Sequence, residues 1–520
     1  MKFLINLFAI IETKNDVREY LGISYIKSYL NSKGIECEAR VIYKNQIGEV
    51  LQSYEEFPKV IGISLYCDNQ HLVKLFCKRI KEMNKECHIV LGGPQVLEYE
   101  RDILERVPEV DSVCTGEGEE SIYALVQRLM QNKSLYGCLS ITFRDKEKIV
   151  QNELRPYISD LNKLPFPYRE HNTDNKKKYF YIAGSRGCLG RCTFCAEHKT
   201  GGKDARIREA KNVVDEIENL LNTYGINKFH FTDPTFEDPG KEGVERARTI
   251  FNEIIKRKMN VRLIMYTRVN IVNKLDDEYY ELAYKAGVES YFIGVESGNP
   301  TDLRLYAKDI TLEAIKIAID KINRHNIYVN YGFICFNPYS TYETLQDNLD
   351  FLHQSGLLYN SQHVLSKFEI MSQAQFKKKL MKDKLLDEFH FDSDIFSYRW
   401  INSEIGELHK LLLEVIDNTH LIDHDCQISI DKIYYKRIYP DFYEKRLKTI
   451  FDRIDILWKL RNDYMYQFFS ECLRLYRKEG PSDAFKNYIK GNTIREYDIK
   501  IKNQFFKYTK VCLSLVKKNK

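Results

Sequence analysis

The sequence predicts an α/β protein built from two successive β/α modules and a helical C-terminal domain. In the first 150 residues, apolar runs typical of buried strands alternate with amphipathic stretches of helical period. The same alternation returns between residues 179 and 385, and it stops from Asp387 onward, where aromatic and basic residues recur at helical spacing. Such alternation favours parallel sheets covered by helices. At 520 residues the chain also exceeds what one hydrophobic core usually holds.

The positions of the apolar runs give the expected strands and the domain limits. The predicted domains are residues 1–150, a linker at 151–178, residues 179–385 and residues 386–520. The expected strands of the first domain are 3–11, 35–42, 60–66, 88–93 and 112–115. Those of the second domain, which form six β/α units, are 179–183, 228–232, 261–266, 290–295, 328–336 and 363–371.

Charge and cysteine content narrow the class of protein. Lys and Arg total 79 and Asp and Glu total 74, so the formal net charge is only +5 and no nucleic-acid partner is expected. Nothing near the first residues resembles a secretory signal, and no apolar run approaches the roughly 20 residues of a membrane span. We therefore expect a cytoplasmic protein whose 13 cysteines are reduced, most of them as small buried residues.

Three of the cysteines, Cys188, Cys192 and Cys195, lie within eight residues, directly after an apolar, strand-like segment. Thiolates grouped in this way favour an iron–sulfur cluster or zinc over harder metals. A [4Fe–4S] cluster has four irons, so three cysteines leave one iron without a protein ligand, and an open position is typical of catalytic metal sites. His198 follows three residues later, so a closed zinc site with three cysteines and one histidine is the alternative.

The spacing of these cysteines, with Phe194 directly before the last one, resembles the signature of the radical S-adenosylmethionine (SAM) enzymes. The resemblance implies that the three thiolates hold a [4Fe–4S] cluster and that the amino and carboxylate groups of SAM chelate the fourth iron. It also implies reductive cleavage of SAM to a 5′-deoxyadenosyl radical, with Phe194 packed against the adenine side. The six β/α units would then correspond to the partial (β/α)6 barrel of this family.

Further candidates lie at the carboxyl ends of the expected barrel strands, where barrel enzymes place their chemistry. By resemblance, Asp233 is expected near the SAM amino group, with an acidic helix cap as the alternative. Arg268 could clamp the SAM carboxylate or form a surface ion pair. Glu296 and Ser297 lie in a Gly-Val-Glu-Ser-Gly run that resembles the family segment contacting the SAM ribose or ammonium. A carboxylate at the end of an apolar strand is costly unless paired, which favours a functional role for Glu296.

The first domain resembles the Rossmann-like cobalamin-binding domain that precedes many radical SAM modules. Ligands of open parallel sheets bind beyond the carboxyl ends of the strands, and glycines there allow a large ligand to approach the backbone. The residues at these ends are the expected cobalamin contacts: Ser64, Tyr66, Gly92, Gly93, Gly116 and Glu117. A tight turn in a sheet that has lost its cofactor is the alternative explanation of the two adjacent glycines.

One departure from the cobalamin-domain pattern concerns the metal. Families that ligate cobalt through a histidine carry Asp-x-His-x-x-Gly after the first strand. The corresponding run in this chain reads Asp-Val-Arg-Glu-Tyr-Leu-Gly over residues 16–22, and no histidine precedes His71. We therefore expect cobalamin to bind without a protein histidine on its cobalt.

Taken together, the resemblance implies a radical SAM enzyme that, with cobalamin, methylates an unactivated carbon of a natural-product or peptide-type substrate. A radical cyclisation or rearrangement without methyl transfer is the second interpretation. A zinc-stabilised interaction protein with a degenerate barrel is the third. The expected partners are a small-molecule or peptide substrate and a low-potential electron donor such as flavodoxin or ferredoxin. The helical C-terminal domain is expected to close the open side of the barrel, and no side chain is assigned as a catalytic residue.

Overall fold

The computed structural model describes residues 3–12, 19–169, 179–358, 361–415 and 421–490, and residues 499–500, 503–504, 506–508 and 510–511. Two parallel sheets follow each other along the chain, and a group of helices forms its C-terminal part. The α/β class with two β/α modules and a helical C-terminal region is therefore confirmed. The limits drawn at residues 150, 178 and 385 stay predictions.

The parallel part of the first sheet agrees with the prediction to within three residues at each strand end. In the described residues it comprises β1 (Ile5–Ile11), β2 (Glu38–Tyr43), β3 (Val60–Ser64), β4 (His88–Gly92) and β5 (Ser112–Cys114). The spatial order is β2-β1-β3-β4-β5, so the direction of winding reverses between β1 and β3. A crevice opens at the carboxyl ends of the strands at such a switch point, and ligands bind there.

An antiparallel hairpin, β6 (Ile141–Asp145) and β7 (Lys148–Gln151), extends this sheet beyond β5. The hairpin was not predicted, because its outer strand is only four residues long, with polar, exposed residues at both of its ends. Helices cover both faces, which explains why the central parallel strands are mainly apolar and buried. The helices are α1 (Leu21–Ser32), α2 (Ile47–Gln52), α3 (Gln70–Met83), α4 (Glu100–Arg106) and α5 (Gly118–Met130).

The second sheet is a parallel, partial barrel. Within the described part of the chain its strands are β8 (Phe180–Ile182), β11 (Lys228–Phe231), β12 (Arg262–Thr267), β13 (Val288–Glu296) and β14 (Tyr328–Phe333), in that spatial order. A two-stranded ribbon of β9 (Ser185–Arg186) and β10 (Arg206–Ile207) lies above it. The main helices of this module are α6 (Glu197–Thr200), α7 (Ala210–Tyr224), α8 (Gly240–Lys256), α9 (Val269–Val272), α10 (Asp277–Ala286), α11 (Pro300–Leu305), α12 (Leu312–Arg324) and α13 (Tyr342–Gln354).

The sixth predicted barrel strand, residues 363–371, is only partly a strand. Its beginning belongs to α14 (Ser361–Leu365), because the Ser366 hydroxyl donates to the His363 carbonyl at 2.7 Å and closes a helical turn. One parallel bridge follows, between Phe336 and Lys367. The Phe336 N–H donates to the Ser366 carbonyl at 2.9 Å, so the bridge keeps the sixth position of the barrel in place.

The C-terminal helices pack on the barrel and share its hydrophobic core, which includes Leu408, Met465 and Phe468. Residues 448–479 form a single helix of 32 residues. None of the helices in the described residues is long and apolar enough to cross a membrane. After α15 (Gln375–Lys382), the C-terminal helices are α16 (Ser403–Val415), α17 (Leu421–Ile438), α18 (Pro440–Phe442), α19 (Lys448–Glu479) and α20 (Asp483–Lys490).

Candidate active site

A cavity of about 510 Å³ lies between the carboxyl edge of the first sheet and the cysteine-bearing loop of the second module. The structure brings together on its wall all six residues predicted at the strand ends of the first domain: Ser64, Tyr66, Gly92, Gly93, Gly116 and Glu117. The opposite wall includes Ser185, Gly187 and Glu197, which flank the cysteines in sequence. A ligand in this cavity therefore touches both modules.

Glycines allow the backbone to form the wall of this cavity. Gly93 has φ +99°, and a Cβ there would lie 2.7 Å from the Leu65 carbonyl oxygen and 2.9 Å from Ser64 Oγ. A Cβ added at Gly118 would lie 2.6 Å from the Ile26 side chain. The alternative of a merely tight turn explains Gly93, since its backbone requires glycine. It does not explain why Gly116, Gly118 and Gly92 line the same cavity.

The inner end of the cavity is apolar and lies against α1 and α5, with Leu7, Ile23, Val90 and Ile122 on its wall. No histidine lines the cavity within the described residues. Residues 16–18 begin the run that differs from the histidine motif of other cobalamin domains, and they lie outside the described residues. The cavity therefore offers small residues and apolar surface at the switch point.

Asn69, which was not predicted, ties the two strands at the switch point together. Its Nδ2 donates to the carbonyl oxygens of Ile10 and Ser64, each at 3.1 Å, and its Oδ1 accepts from the Tyr66 N–H at 2.8 Å. Asn69 lies directly before α3, a position where Asn is common. It thereby fixes the strand ends from which Ser64 and Tyr66 reach the cavity.

The carboxylate of Glu117, which lines the cavity, accepts hydrogen bonds from several protein donors, and its contact with cobalamin stays a prediction. It accepts from Arg186 Nη1 at 2.9 Å, from Arg206 Nη1 at 2.9 Å and from the Ile158 N–H at 2.6 Å. Both arginines belong to the β9–β10 ribbon. The side chain therefore joins the first module to the ribbon.

The three cysteines lie on the loop between β9 and β10, half-buried and with free thiols. The Gly190 N–H donates to Cys188 Sγ at 3.3 Å, and the Glu197 N–H donates to Cys195 Sγ at 3.4 Å. Burial raises the pKa of Cys195 to about 11, and the negative charges of Cys192 and Cys188 contribute to the increase. The three thiols are thus close enough to influence one another's ionisation.

The described residues contain no group of three or more His, Cys, Asp or Glu side chains placed to hold one metal ion. A structural zinc site needs its ligands about 2.3 Å from a single point. In a [4Fe–4S] cluster each cysteine binds a different iron, so the three thiolates do not have to converge.

The cysteine loop is docked on the end of α11. The Thr193 N–H donates to the Tyr306 carbonyl at 3.0 Å, and the Thr193 hydroxyl donates to the Leu305 carbonyl at 2.9 Å. Phe194 packs edge-on against the Tyr306 ring at 5.6 Å between centroids and stays partly exposed. One face of Phe194 is therefore held by the protein, and part of its surface is accessible to a ligand.

Glu296 ends β13 in an unusual backbone conformation. Its φ is +67°, at an irregularity in the pairing with β14, and non-glycine residues in this region cluster at functional sites. The carboxylate is buried and pairs with Lys308 Nζ at 3.0 Å. A Cβ at Gly294 would lie 2.4 Å from both Glu296 Oε1 and Lys308 Nζ, so the glycine makes room for this ion pair.

Lys308 was not predicted, because nothing in its local sequence distinguishes it from a surface lysine. Burial lowers its pKa, but the negative charges of Glu296, Cys192 and Cys195 outweigh this effect and raise the pKa above its ordinary value. The Nζ lies 6.0 Å from the centroid of the Phe194 ring. A permanently charged ammonium therefore stands between Glu296 and the cysteine loop.

Two residues predicted to contact SAM are instead fully buried and hydrogen-bonded within the protein. Ser297 Oγ donates to Asn348 Oδ1 at 2.8 Å and builds the turn after β13. Asp233 accepts from the Gly184 N–H at 2.8 Å and from Arg246 Nη2 at 3.0 Å. These bonds hold both side chains within the protein, and neither residue lines the cavity. Their contacts with SAM stay predictions.

Arg268 lies at the end of β12, as predicted, and about a quarter of its side chain is exposed. Its Nη2 donates to both oxygens of Asp238, at 2.7 and 2.8 Å, and Asp238 is only 3% exposed, so this is not the surface ion pair given as the alternative. Burial raises the pKa of Cys188, whereas the nearby positive charge of Arg268 opposes that rise. Arg268 Nε is buried without a partner, so the guanidinium retains a donor beside the cysteine loop.

Glu237 is a fully buried carboxyl group beneath this region. It accepts from the Thr267 hydroxyl at 2.6 Å and from the Tyr279 hydroxyl at 2.8 Å. Burial raises the pKa of Glu237 to about 7, although both hydrogen bonds oppose the increase.

The Glu237→Gln variant is expected to gain stability relative to the wild type as the pH rises. In the wild type, the pKa of the Glu237 carboxyl group is raised from 4.5 to about 7 by folding. The wild type therefore has its full stability below pH 4.5 and loses part of it as the pH rises through 7. Glutamine does not ionise and can keep both hydrogen bonds. The difference in unfolding free energy is expected to grow by about 2–3 kcal/mol between pH 5 and pH 8, measured by urea unfolding. A difference independent of pH would contradict this account.

Comparison with known proteins agrees with the two modules. Residues 9–126 match the family model of the B12 binding domain, and residues 182–352 match that of the radical SAM superfamily. The chain is a radical SAM enzyme with an N-terminal B12-binding domain. Its cofactors are accordingly a [4Fe–4S] cluster, SAM and cobalamin.

Three relatives illustrate the range around this radical SAM enzyme. An uncharacterized methyltransferase of Pyrococcus horikoshii is 24% identical over 65% of this chain and 74% of its own length. The anaerobic magnesium-protoporphyrin IX monomethyl ester cyclase of Rubrivivax gelatinosus is 26% identical over 62% of this chain and 60% of its own length. The cobalamin-dependent S-adenosylmethionine radical enzyme OxsB with aqua-cobalamin bound has a TM-score of 0.68 at 18% identity, covering 96% of this chain and 84% of that chain. At this level of identity, the similarity to OxsB shows a shared fold only.

The residues present fit the three cofactors chemically. Soft thiols that accept backbone N–H bonds suit an iron–sulfur cluster. A cavity lined by glycines and apolar side chains at the switch point suits a large corrinoid. The charged pair of Glu296 and Lys308 beside the cysteine loop suits a zwitterionic ligand such as SAM.

Proposed function

We propose that this radical SAM enzyme methylates an unactivated carbon of a small-molecule or peptide substrate. The observation that carries the proposal is the shared cavity, because Ser64 and Gly93 line it on one side and Gly187 and Glu197 on the other. Cobalamin in this cavity would therefore lie beside the cysteine loop. When bound, the cluster and SAM supply a 5′-deoxyadenosyl radical, and cobalamin supplies a transferable methyl group.

We assign the cluster to Cys188, Cys192 and Cys195, whose side chains are half-buried on one loop. The two backbone N–H groups that reach the sulfurs favour the thiolate form required of a ligand. The loop is anchored by backbone hydrogen bonds from Cys188 to Gly202 and from Thr193 to Tyr306, which fix the positions of its half-buried cysteines. The electron for the cluster would come from a low-potential donor such as flavodoxin or ferredoxin.

The residues assigned to SAM surround this loop. Glu296 is placed to accept hydrogen bonds from the ribose or the ammonium group, and Lys308 is placed to pair with the carboxylate. Arg268 offers a second cation on the other side of the loop. Phe194 presents an accessible aromatic surface to the adenine.

Cobalamin is assigned to the strand ends of the first module, with contacts from Ser64, Tyr66, Gly92, Gly93 and Gly116. The apolar inner end of the cavity between α1 and α5 would take the nucleotide tail. No histidine of the described residues lines the cavity, which supports binding without a protein ligand to cobalt. The Glu117 side chain supports this site indirectly, through the β9–β10 ribbon.

Radical cyclisation or rearrangement is the second candidate, and the cyclase relative favours it. Product analysis separates the two candidates with anaerobically reconstituted enzyme and a substrate panel. Methylation predicts S-adenosylhomocysteine together with 5′-deoxyadenosine. The second candidate predicts 5′-deoxyadenosine alone. Zinc without sulfide in the purified protein would contradict both.

Lys308→Met is expected to weaken SAM binding by about 10- to 100-fold. The variant removes a buried cation that is placed to make a charge-assisted hydrogen bond, and such a bond contributes about 1.5–3 kcal/mol. Anaerobic titration calorimetry on the reconstituted protein measures the change. Lys274→Met, which replaces an exposed lysine of the same module, is the matched control. Equal affinity in the two variants would remove Lys308 from the site.

A further inference from the structure

The loop that carries the three cysteines begins and ends at a narrow neck. β9 and β10 pair there in antiparallel fashion, and Arg186 stands directly opposite Arg206. Just inside the neck, the Cys188 N–H donates to the Gly202 carbonyl at 3.1 Å. A Cβ at Gly187, which has φ +91°, would lie 2.2 Å from the Asp204 carbonyl oxygen. The two sides of the loop are therefore in backbone contact at this point.

Two arginines at directly opposite positions of a ribbon repel each other. Arg186 and Arg206 are only 19% and 12% exposed, so water screens this repulsion weakly. A short ribbon of two residue pairs has few backbone bonds to oppose the repulsion. The neck therefore needs negative charge from elsewhere in the molecule.

That charge comes from the B12-binding domain. Glu117 Oε1 accepts from Arg186 and from Arg206, each at 2.9 Å, so one carboxylate spans the opposing pair. Glu119 Oε1 accepts from Arg186 Nη2 at 2.6 Å. Glu117 also accepts from the Ile158 N–H, which connects the neck to the linker. These carboxylates are 11% and 4% exposed, so both ion pairs are largely buried.

Arg206 carries the connection into the loop itself. Its Nη2 donates to the Gly201 carbonyl at 2.8 Å, and its Nη1 donates to the Ile158 carbonyl at 2.7 Å. Gly201 follows α6, the short helix that begins two residues after Cys195. The position of Glu117 is therefore linked through Arg206 to the segment that holds the last cysteine.

We infer that Glu117 is a positioning residue for the cluster: it closes the neck of the cysteine loop, so the loop takes its ligand-bearing form only on a docked B12-binding domain. The inference rests on the proposed assignment of the three cysteines to the cluster. The order of the loop in the protein without cofactors can be measured separately from that assignment.

Hydrogen–deuterium exchange on the cofactor-free full-length protein tests the inference. Peptides within residues 187–205 are expected to exchange at least about tenfold faster in Glu117→Gln, since a charge-assisted hydrogen bond contributes 1.5 kcal/mol or more. Glu119→Gln, which loses a contact to one arginine only, is expected to show a smaller increase. Glu120→Gln is the matched control, because Glu120 pairs with Arg155 at 3.2 Å outside the neck.

Unchanged exchange of residues 187–205 in Glu117→Gln would overturn the inference. Equal acceleration in β3 and β4 would overturn it too, because it would show a general loosening of the first module. Should Glu117→Gln fail to fold, Glu117→Asp keeps the charge but is too short to span both arginines, and it is expected to loosen the same peptides. Iron and sulfide in the reconstituted wild type report separately on the proposed function. If the wild type bound no iron or sulfide while the variant showed faster exchange in the loop, the cluster assignment would be refuted and the role of Glu117 in ordering the loop would stand.

Discussion

Cys192→Ala is expected to abolish the iron–sulfur cluster and, with it, reductive cleavage of SAM. Cys192 is one of three cysteines assigned to the cluster, and the fourth iron is left for SAM, so the loop has no fourth cysteine to replace it. Mutation of a residue that hydrogen-bonds to a metal ligand typically lowers metal affinity or activity by 10- to 100-fold. Loss of a ligand itself is expected to lower them by more than about 100-fold. Iron, acid-labile sulfide and 5′-deoxyadenosine formation are measured after anaerobic reconstitution.

The control for this variant is Cys67→Ala. Cys67 is also half-buried but lies in the first module and outside the three-cysteine motif. It is expected to leave iron and sulfide at the wild-type level. If Cys192→Ala retained iron and sulfide, the cysteine assignment would be wrong. If both variants contained zinc and no sulfide, the zinc alternative would replace the radical mechanism.

Arg169→Met is expected to destabilise the protein by about 3–5 kcal/mol, because it removes a buried cation from two buried carboxylates, of which Glu216 keeps a second arginine, Arg208. Arg169 pairs with Glu19 of the first module and, at 2.8 Å, with Glu216 on α7. All three side chains are at most 3% exposed. Arg169 Nη2 also donates to the Tyr181 carbonyl of β8 at 2.8 Å. The linker arginine therefore joins the B12-binding domain to the first barrel strand.

Urea unfolding of the full chain measures this effect, with the signal followed in both modules. Arg477→Met is the matched control, because Arg477 forms an ion pair with Glu343 at 2.7 Å in which both side chains are about 60% exposed. An exposed pair contributes at most about 1 kcal/mol, so this variant is expected to unfold almost like the wild type. Equal destabilisation by the two variants would contradict the buried network.

Much of the fold was predictable because it depends on local pattern. The strands of both modules follow from apolar runs, since a parallel sheet is buried on both faces and its strands are mainly apolar. The β6–β7 hairpin was missed, because an exposed edge strand does not need an apolar run. The sixth barrel strand was overestimated, because an apolar stretch alone does not distinguish a strand from a short helix followed by one bridge.

The residues of the candidate site also differ in how far the sequence could predict their surroundings. The three cysteines, Phe194 and Glu296 were predicted from sequence because they lie in short motifs that resemble those of the family, and their roles stay predictions. Asp233 and Ser297 were placed in the site by motif as well, yet the structure buries both side chains in hydrogen bonds to the protein. A motif gives the position of a residue along the chain, but it does not determine which atoms of its side chain remain available.

The sequence by itself determined the two-module α/β architecture, the radical SAM and B12-binding character, and the cysteine loop. Only the tertiary structure determined which charged side chains form ion pairs with each other. Lys308 pairs with Glu296, Glu117 spans the two arginines of the neck, and Arg169 reaches Glu19 across 150 residues of chain. Each of these contacts is long-range and electrostatic, and its strength depends on burial and on distances of a few ångström. Neither quantity is encoded in hydrophobic periodicity or in the spacing of a motif.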